Sequence, residues 1–347
     1  MAGRARAAVG LLTLIVVTLL TPALVPAVNR WHATERFPPT YLPALEGPRA
    51  RGRFEETRVS DLQRLNPGYV VIGDSMAGTR IDERRLSELA GTPVAPLLQP
   101  GSGSAFWYLA LKNWVIASGI KPRLVMIFFR DDNLTDLMFR LDQQFRWALD
   151  LAARDREDEL NALIAQRVGP LHRAHAIAGR WSGAEEARQW IEPGLMRLPA
   201  EWMIRSRRRR TEFLDAMNVR LGFDHVRPMP AADIQAGEAA NLDFARDVER
   251  SVLPLMLRDA RHGGLTLCFV RVQRRPLSNG PPPQSPALEA YVGALGRYIG
   301  AHGAILHDDT GDPALTLDLY EDGDHLARHA RRVYTEYLYD RLRTHFP

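Results

Sequence analysis

The chain is built around residues 69–76, which read Tyr-Val-Val-Ile-Gly-Asp-Ser-Met. The first four residues of this stretch are apolar and mostly β-branched or aromatic, which predicts a buried strand that ends at Gly73. The residues after it predict a tight turn and then a helix. Ser75 therefore lies at the carboxyl end of a strand, where ligands bind in an open parallel sheet. The alternative is that these residues have only a structural role, because Asp74 or Ser75 can simply cap the helix.

Strand and helix patterns alternate along the rest of the chain. Alternation of this kind predicts βαβ units and a parallel sheet with helices on both faces. The predicted strands are 69–73, 94–98, 123–129, 265–270 and 304–307, and the predicted helices are 82–90, 105–118, 241–262, 286–301 and 325–344. The region 134–240 breaks this rhythm, because it carries helical signals but no clear strand. We interpret it as a helical insertion between the third and fourth strands.

The N-terminus predicts export. Arg4 and Arg6 precede an uncharged run, 7–28, which is long enough to cross a bilayer. Arginines before the run and a large domain after it favour a cytoplasmic N-terminus and a body outside the cytoplasm. We therefore divide the chain into an anchor at 1–28, a polar, proline-rich stalk at 29–64 and a catalytic domain at 65–347. The alternative for 1–28 is a cleaved signal peptide, although the length of the run favours an anchor.

Composition excludes several other classes of protein. With 46% hydrophobic and 25% charged residues, the chain is ordinary globular protein. The net charge of +4 is too diffuse to argue for nucleic-acid binding. Cys268 is the single cysteine, so neither an intrachain disulfide nor a cysteine-based metal site is possible. His172 and His175 have no nearby carboxylate to complete a site, so we predict no metal and no cofactor.

A second polar motif follows the last predicted strand. Asp322 and His325 are three residues apart, so the carboxylate can orient the imidazole from one short loop. A histidine held in this way can take the proton from a serine hydroxyl. The alternative is that Asp324 caps the helix and that His325 is an ordinary residue of its first turn.

Two further loops are predicted at the same edge of the sheet. The second strand leads into Gln99–Ser104, a glycine-rich turn whose backbone amides suit an oxyanion hole. The third strand ends abruptly at Arg130–Asn133, which is polar and charged.

Together these motifs make the chain resemble the SGNH (GDSL-type) hydrolase and acyltransferase superfamily over about residues 65–345. Members use a Ser-His-Asp triad on a flavodoxin-like α/β/α sandwich, so the resemblance implies a three-layer α/β fold with a five-stranded parallel sheet. It also implies Ser75 as the nucleophile, His325 as the base and Asp322 as the orienting acid. Gly103 matches the backbone oxyanion donor, with Gly101 as the alternative.

The third family motif departs from its usual pattern. Members have Gly-x-Asn-Asp there, with the asparagine as an oxyanion donor, whereas this chain has Arg130-Asp131-Asp132 and then Asn133. An ionised aspartate cannot stabilise an oxyanion. Either Asn133 reaches in, or Arg130 supplies the positive group, or this donor is missing.

The departure and the predicted anchor both suit the membrane-linked branch of the superfamily, which acetylates cell-surface glycans. We therefore expect an exported O-acyltransferase, bound to the inner membrane through its N-terminal helix, with its catalytic domain in the periplasm. Its expected partners are an acyl donor, a surface glycan and a multispanning membrane acyltransferase, and no nucleic acid. The alternatives are an extracytoplasmic esterase that uses water, and a non-catalytic protein that binds a glycan or a partner.

Overall fold

The computed structural model describes residue 42 and residues 54–141, 146–154, 156–168, 242–281 and 283–343. The elements below all belong to one compact unit, which residues 52–167 and 228–347 form. The predicted anchor at 7–28 and most of the predicted insertion lie outside the described residues. No helix in the described part of the chain is long and apolar enough to span a membrane.

A five-stranded parallel sheet organises this unit, as the alternating pattern predicts. The order is β2-β1-β3-β4-β5, so the chain leaves β1 toward one edge and then crosses to its other side. Ligands bind beside the strand at which the order reverses, which here is β1. The strands are β1 (Tyr69–Gly73), β2 (Val94–Leu98), β3 (Leu124–Phe129), β4 (Leu267–Arg271) and β5 (Ile305–Asp308).

Helices surround the sheet, which confirms the predicted α/β class. In the described residues they are α1 (Glu56–Leu65), α2 (Ser75–Arg80), α3 (Glu83–Ala90), α4 (Ser104–Ala110), α5 (Arg146–Ala152), α6 (Asp158–Arg167), α7 (Phe244–Glu249), α8 (Leu253–His262), α9 (Pro286–Ala301) and α10 (Ala330–Leu342). A π-helical segment, Leu111–Ile116, continues α4. The helices α5 and α6 fall within the predicted insertion, and its described residues contain no strand.

One face of the sheet packs against α2, α3 and α10. Alternate residues of the strands, such as Val71, Met126 and Cys268, point to the same face and join one apolar cluster with residues of these helices. Burial in this cluster raises the pKa of the Cys268 thiol to about 12, and the nearby Asp309 adds to the effect. The cysteine is therefore an inert core residue, as its apolar neighbours predict.

Three predictions differ from the structure by more than a shift of one or two residues at an element's end. The helix α1 extends the folded body upstream of residue 65, and Leu62 on it is buried. The predicted helix 241–262 is two helices, because the Ser251 hydroxyl donates to Val248 O at 2.8 Å and accepts from Leu253 N at 3.2 Å, which ends α7 and starts α8. The predicted helix at 325 begins only at Ala330.

Candidate functional site

Ser75 lies where the sequence predicts it, directly after β1. It is the first residue of α2 and is half-buried at the carboxyl edge of the sheet. Asp74 caps this helix, since its carboxylate accepts a hydrogen bond from the Met76 amide at 2.8 Å. Gly73 is required for the close approach of strand and helix, because a Cβ there would lie 2.6 Å from the Cβ of Ala77. Capping by Asp74 leaves the Ser75 hydroxyl available for another role.

His325 reaches Ser75 from the other end of the chain. Its Nε2 lies 2.9 Å from Ser75 Oγ, across a sequence separation of 250 residues. A serine in hydrogen-bond contact with an imidazole can pass its proton to the ring and become a nucleophile. The amide of Leu326, the next residue, donates to Thr79 Oγ1 at 3.3 Å and so ties the same segment to α2.

The segment that carries His325 is a hairpin, which corrects the predicted helix start. Its strands are β6 (Tyr320–Asp322) and β7 (His325–Leu326), and they pair antiparallel. The turn between them uses Gly323 at φ +48°, a conformation that glycine adopts without strain. Asp322 lies directly opposite His325 in this pairing, while its side chain lies outside the described residues.

Asp324, in the turn, does not cap a helix. Its carboxylate is buried, accepts from the Arg275 amide at 2.9 Å and forms an ion pair with Arg130 Nη1. Burial by itself would raise the pKa of Asp324, but Arg130, the Arg275 amide and Arg80 together hold that pKa below its usual range. The carboxylate of Asp324 is therefore ionised and committed to these partners.

The glycine-rich loop after β2 is fastened to the end of β1. The Gln99 amide donates to Gly73 O at 3.0 Å, and Ser102 Oγ donates to the same carbonyl at 3.4 Å. Trp107 Nε1 in turn donates to Ser102 Oγ at 2.9 Å. The loop that holds the predicted donors thus packs onto the residue two positions before Ser75.

Both predicted glycine donors occupy positions that require glycine. Gly101 has φ +74°, in the left-handed region. Gly103 is the N-cap residue of α4, and a Cβ on it would lie 2.5 Å from the carbonyl oxygen of Phe139. This close approach brings the turn after β3 against the glycine-rich loop.

The residues that follow β3, Arg130 and Asp131, form ion pairs in this structure. Asp131 is buried at φ +51°, and its carboxylate pairs with Arg271 at 3.0 Å and Arg274 at 2.7 Å. Arg130 donates through Nη1 to Asp324, and its Nε lies 3.5 Å from Asp131. Asn133 is buried in the same turn, and no hydrogen bond among the described residues joins it to Ser75 or His325. Two nitrogens of Arg130 thus face carboxylates, which explains why an arginine is tolerated here.

Two arginines that sequence analysis did not single out lie beside the site. Arg140, at φ +58°, approaches Asp74 Oδ2 at 3.8 Å and stacks on the Phe139 ring at 4.7 Å. Arg80 is fully buried on α2. An arginine in a short helix, like Arg80, or in a turn, like Arg140, is ordinarily a surface residue, so the local sequence carries no signal for either role.

The carboxyl of Asp74 is electrostatically unusual. Burial raises its pKa above the ordinary 3.8, although the Met76 amide, Arg140, Arg80 and His325 each act to lower it. Burial also affects Arg140: it lowers the pKa of the guanidinium, although the nearby charge of Asp74 acts to raise that pKa. A buried carboxyl with a raised pKa, beside a serine and a histidine in contact, is a feature that functional sites often show.

No cluster of three or more metal-ligating side chains occurs in the described part of the chain. Comparison with known protein families found no family model that matches this chain, and comparison with curated proteins found no matching relative.

Proposed function

We propose that this protein is a serine acyl-transfer enzyme of the SGNH type that O-acetylates a cell-surface polysaccharide through an acyl-serine intermediate. The observation that carries the proposal is the 2.9 Å contact between Ser75 Oγ and His325 Nε2. The contact lies beside β1, where the strand order reverses and where parallel sheets bind their ligands.

The pair supports a two-step reaction. His325 Nε2 takes the proton of the Ser75 hydroxyl while Oγ attacks the carbonyl carbon of an acyl donor. The tetrahedral intermediate then expels the leaving group, which takes the proton from the imidazolium, and the acyl group stays on Ser75. A sugar hydroxyl next gives its proton to His325 Nε2 as it attacks the acyl carbonyl. The second tetrahedral intermediate then breaks its bond to Ser75 Oγ, which takes the proton back from the imidazolium, so that the acylated sugar leaves and the free serine is restored.

Asp322 is the proposed partner of His325. Residues directly opposite each other in an antiparallel pair have their Cβ atoms close together, on the same face. The pairing of Asp322 with His325 is therefore a favourable arrangement for an orienting acid. Asp324 is a poor substitute, because its carboxylate already binds Arg130 and the Arg275 amide.

The proposed oxyanion donor is the backbone amide of Gly103, with that of Gly101 as the alternative. Support comes from the hydrogen bonds that fix this loop to Gly73, close to Ser75 in the chain. Backbone amides held in place in this way need no reorganisation when charge develops on the substrate. Asn133 remains a candidate for a further donor.

Export and the identity of the acceptor rest on the sequence. The uncharged run 7–28 after Arg4 and Arg6 suits an inner-membrane anchor that holds the catalytic unit in the periplasm. In that setting the acceptor is a surface glycan, and the acyl donor comes from a multispanning membrane acyltransferase. Fusion of alkaline phosphatase to the C-terminus of the full chain tests the orientation. An inactive phosphatase fusion beside a bright green-fluorescent fusion would overturn it.

The experiment on chemistry is incubation with p-nitrophenyl acetate, with and without candidate glycans, followed by mass analysis of protein and glycan. We expect an acetyl group on Ser75 and its transfer to the glycan. Ser75→Ala should abolish both, whereas Ser60→Ala, which changes an exposed serine of α1, should abolish neither. Acetyl-serine that only water discharges would identify an esterase. A chain that is never acetylated but binds the glycan would be a non-catalytic binding protein.

A further inference from the structure

We propose that Arg80 and Arg130 clamp the Asp324 residue and thereby hold His325 against Ser75. The inference rests on the proposed function and deepens it, because it assigns positioning roles to residues outside the triad. It also assigns Arg130 a role different from that of an oxyanion donor.

Asp324 is held at both its side chain and its backbone. Arg130, which follows β3, pairs with carboxylate atom Oδ2, and the Arg275 amide, beyond β4, donates to Oδ1 at 2.9 Å. Arg80 Nη1 donates to the backbone carbonyl of Asp324 at 2.8 Å. Asp324 itself is 5% exposed, so these bonds form away from solvent. The turn before His325 is thereby fixed to three separate elements of the fold.

Arg80 connects this turn to the nucleophile. It is the last residue of α2, the helix that begins at Ser75. Its guanidinium also donates to Met76 O at 3.2 Å and to Gln273 O at 3.0 Å. In the described part of the chain no carboxylate lies within ion-pair distance of Arg80, and its charge is satisfied by carbonyl groups and by the faces of two tyrosine rings.

The clamp matters because it fixes the turn itself, whereas the Leu326–Thr79 hydrogen bond holds the hairpin beyond His325. Gly323 gives the backbone its conformational freedom, and the hairpin pairs through few residues. His325 follows Asp324 directly, so a rotation of that peptide moves the imidazole relative to Ser75 Oγ. A misplacement of about 1 Å can lower a rate by about 100-fold.

A double-mutant cycle tests the clamp in the full chain. Arg130→Gln and Asp324→Asn should each lower kcat by about 100-fold, the scale of a 1 Å misplacement, with little change in KM. The double variant should lose no more than either single variant, because both changes break one ion pair. Arg130→Lys, which keeps the charge, should recover part of the activity. As a matched control, Arg258→Gln and Glu159→Gln break an exposed ion pair and should leave kcat unchanged.

The cycle separates the clamp from an oxyanion role for Arg130. An oxyanion donor would lose about 10²–10³-fold in kcat when Arg130 is changed, while Asp324→Asn would keep most of the activity. That result, or losses that multiply in the double variant, would overturn the proposal.

A second measurement does not depend on turnover. Two-bond ¹H–¹⁵N spectra of the chain labelled with [¹⁵N]histidine, with His325→Gln to assign the signal, report which ring nitrogen carries the proton. We expect a single tautomer protonated on Nδ1 in the native chain and averaging of both tautomers in Asp324→Asn. Averaging in the native chain, or one unchanged tautomer in the variant, would overturn the clamp. A clamp seen in these spectra, in a chain that is never acetylated, would instead refute the proposed function alone.

Discussion

Replacing Arg80 by methionine tests how much stability this buried guanidinium contributes. Methionine fills most of the same volume with flexible, apolar atoms, so the main change is the loss of hydrogen bonds. Three carbonyl groups lose a donor. Two of them keep another one: Thr79 Oγ1 donates to Met76 O at 3.1 Å, and Tyr320 Oη donates to Gln273 O at 3.3 Å.

The carbonyl of Asp324 therefore sets the cost. Its hydrogen bond from Arg80 is the only one that it accepts from the described residues. A buried carbonyl left without a partner costs about 1–3 kcal/mol. The contacts of Arg80 with the rings of Tyr320 and Tyr334, at 5.8 Å each, add about 0.5–1 kcal/mol apiece. Arg80→Met should thus lower the free energy of unfolding by about 3 kcal/mol.

Urea-induced unfolding of the full chain, followed by circular dichroism, measures this loss from the shift in midpoint at constant slope. The matched control is Arg84→Met on α3, whose side chain is 89% exposed, and we expect a change within about 0.5 kcal/mol. A loss below about 1 kcal/mol for Arg80→Met, less than one orphaned carbonyl should cost, would refute this reasoning.

Four further substitutions give expected outcomes. Ser75→Ala and His325→Ala should each remove almost all esterase turnover in a p-nitrophenyl acetate assay, and the double variant should be no worse, because the two act as one unit. Gly103→Ala should lower the free energy of unfolding, measured from the urea midpoint, by about 1–3 kcal/mol. This is the cost of overpacking, because the new Cβ would lie 2.5 Å from Phe139 O. Asp74→Asn should become progressively more stable than the native chain as pH rises. Burial raises the pKa of the Asp74 carboxyl, so the folded chain binds the carboxyl proton more tightly than the unfolded chain does. As pH rises from about 4 through the raised pKa, ionisation of Asp74 therefore lowers the stability of the native chain, whereas the asparagine of the variant does not ionise.

Each of these outcomes has a contrary result. If the losses of turnover in Ser75→Ala and His325→Ala multiply in the double variant, Ser75 and His325 do not act as one unit. An unchanged midpoint for Gly103→Ala would mean that the turn at Phe139 yields at no cost. For Asp74, urea titrations at several pH values decide the sign. A stability difference that shrinks as pH rises would show that the attraction of Arg140 outweighs burial.

The sequence predicted the elements in which one local pattern dominates. The runs at β1 and β3 are continuously apolar, and Ser285 followed by Pro286 marks the start of α9, so these boundaries agree closely with the structure. The positions of Ser75 and His325 at the sheet edge followed from motifs placed after strands.

The features that escaped prediction depend on distant partners. A helix starting near His325 fits the local pattern, but Asp324 forms a turn instead, because Arg130 and the Arg275 amide bind its carboxylate from other elements. Arg80 looks like a surface residue until the carbonyls of Asp324 and Gln273 are brought to it. No window of neighbouring residues contains that information, since the partners are about 200 positions away or more.

The contact between Ser75 and His325 determines when the site can be completed during synthesis and folding. Joining segments 250 residues apart costs about 5 kcal/mol of loop-closure entropy, so this contact forms late, after the local helices and strands. During synthesis, β1 and α2 leave the ribosome long before the hairpin that completes the pair. A nascent chain therefore holds Ser75 without His325, and the proposed acyl chemistry cannot begin before the C-terminal segment has been made and docked.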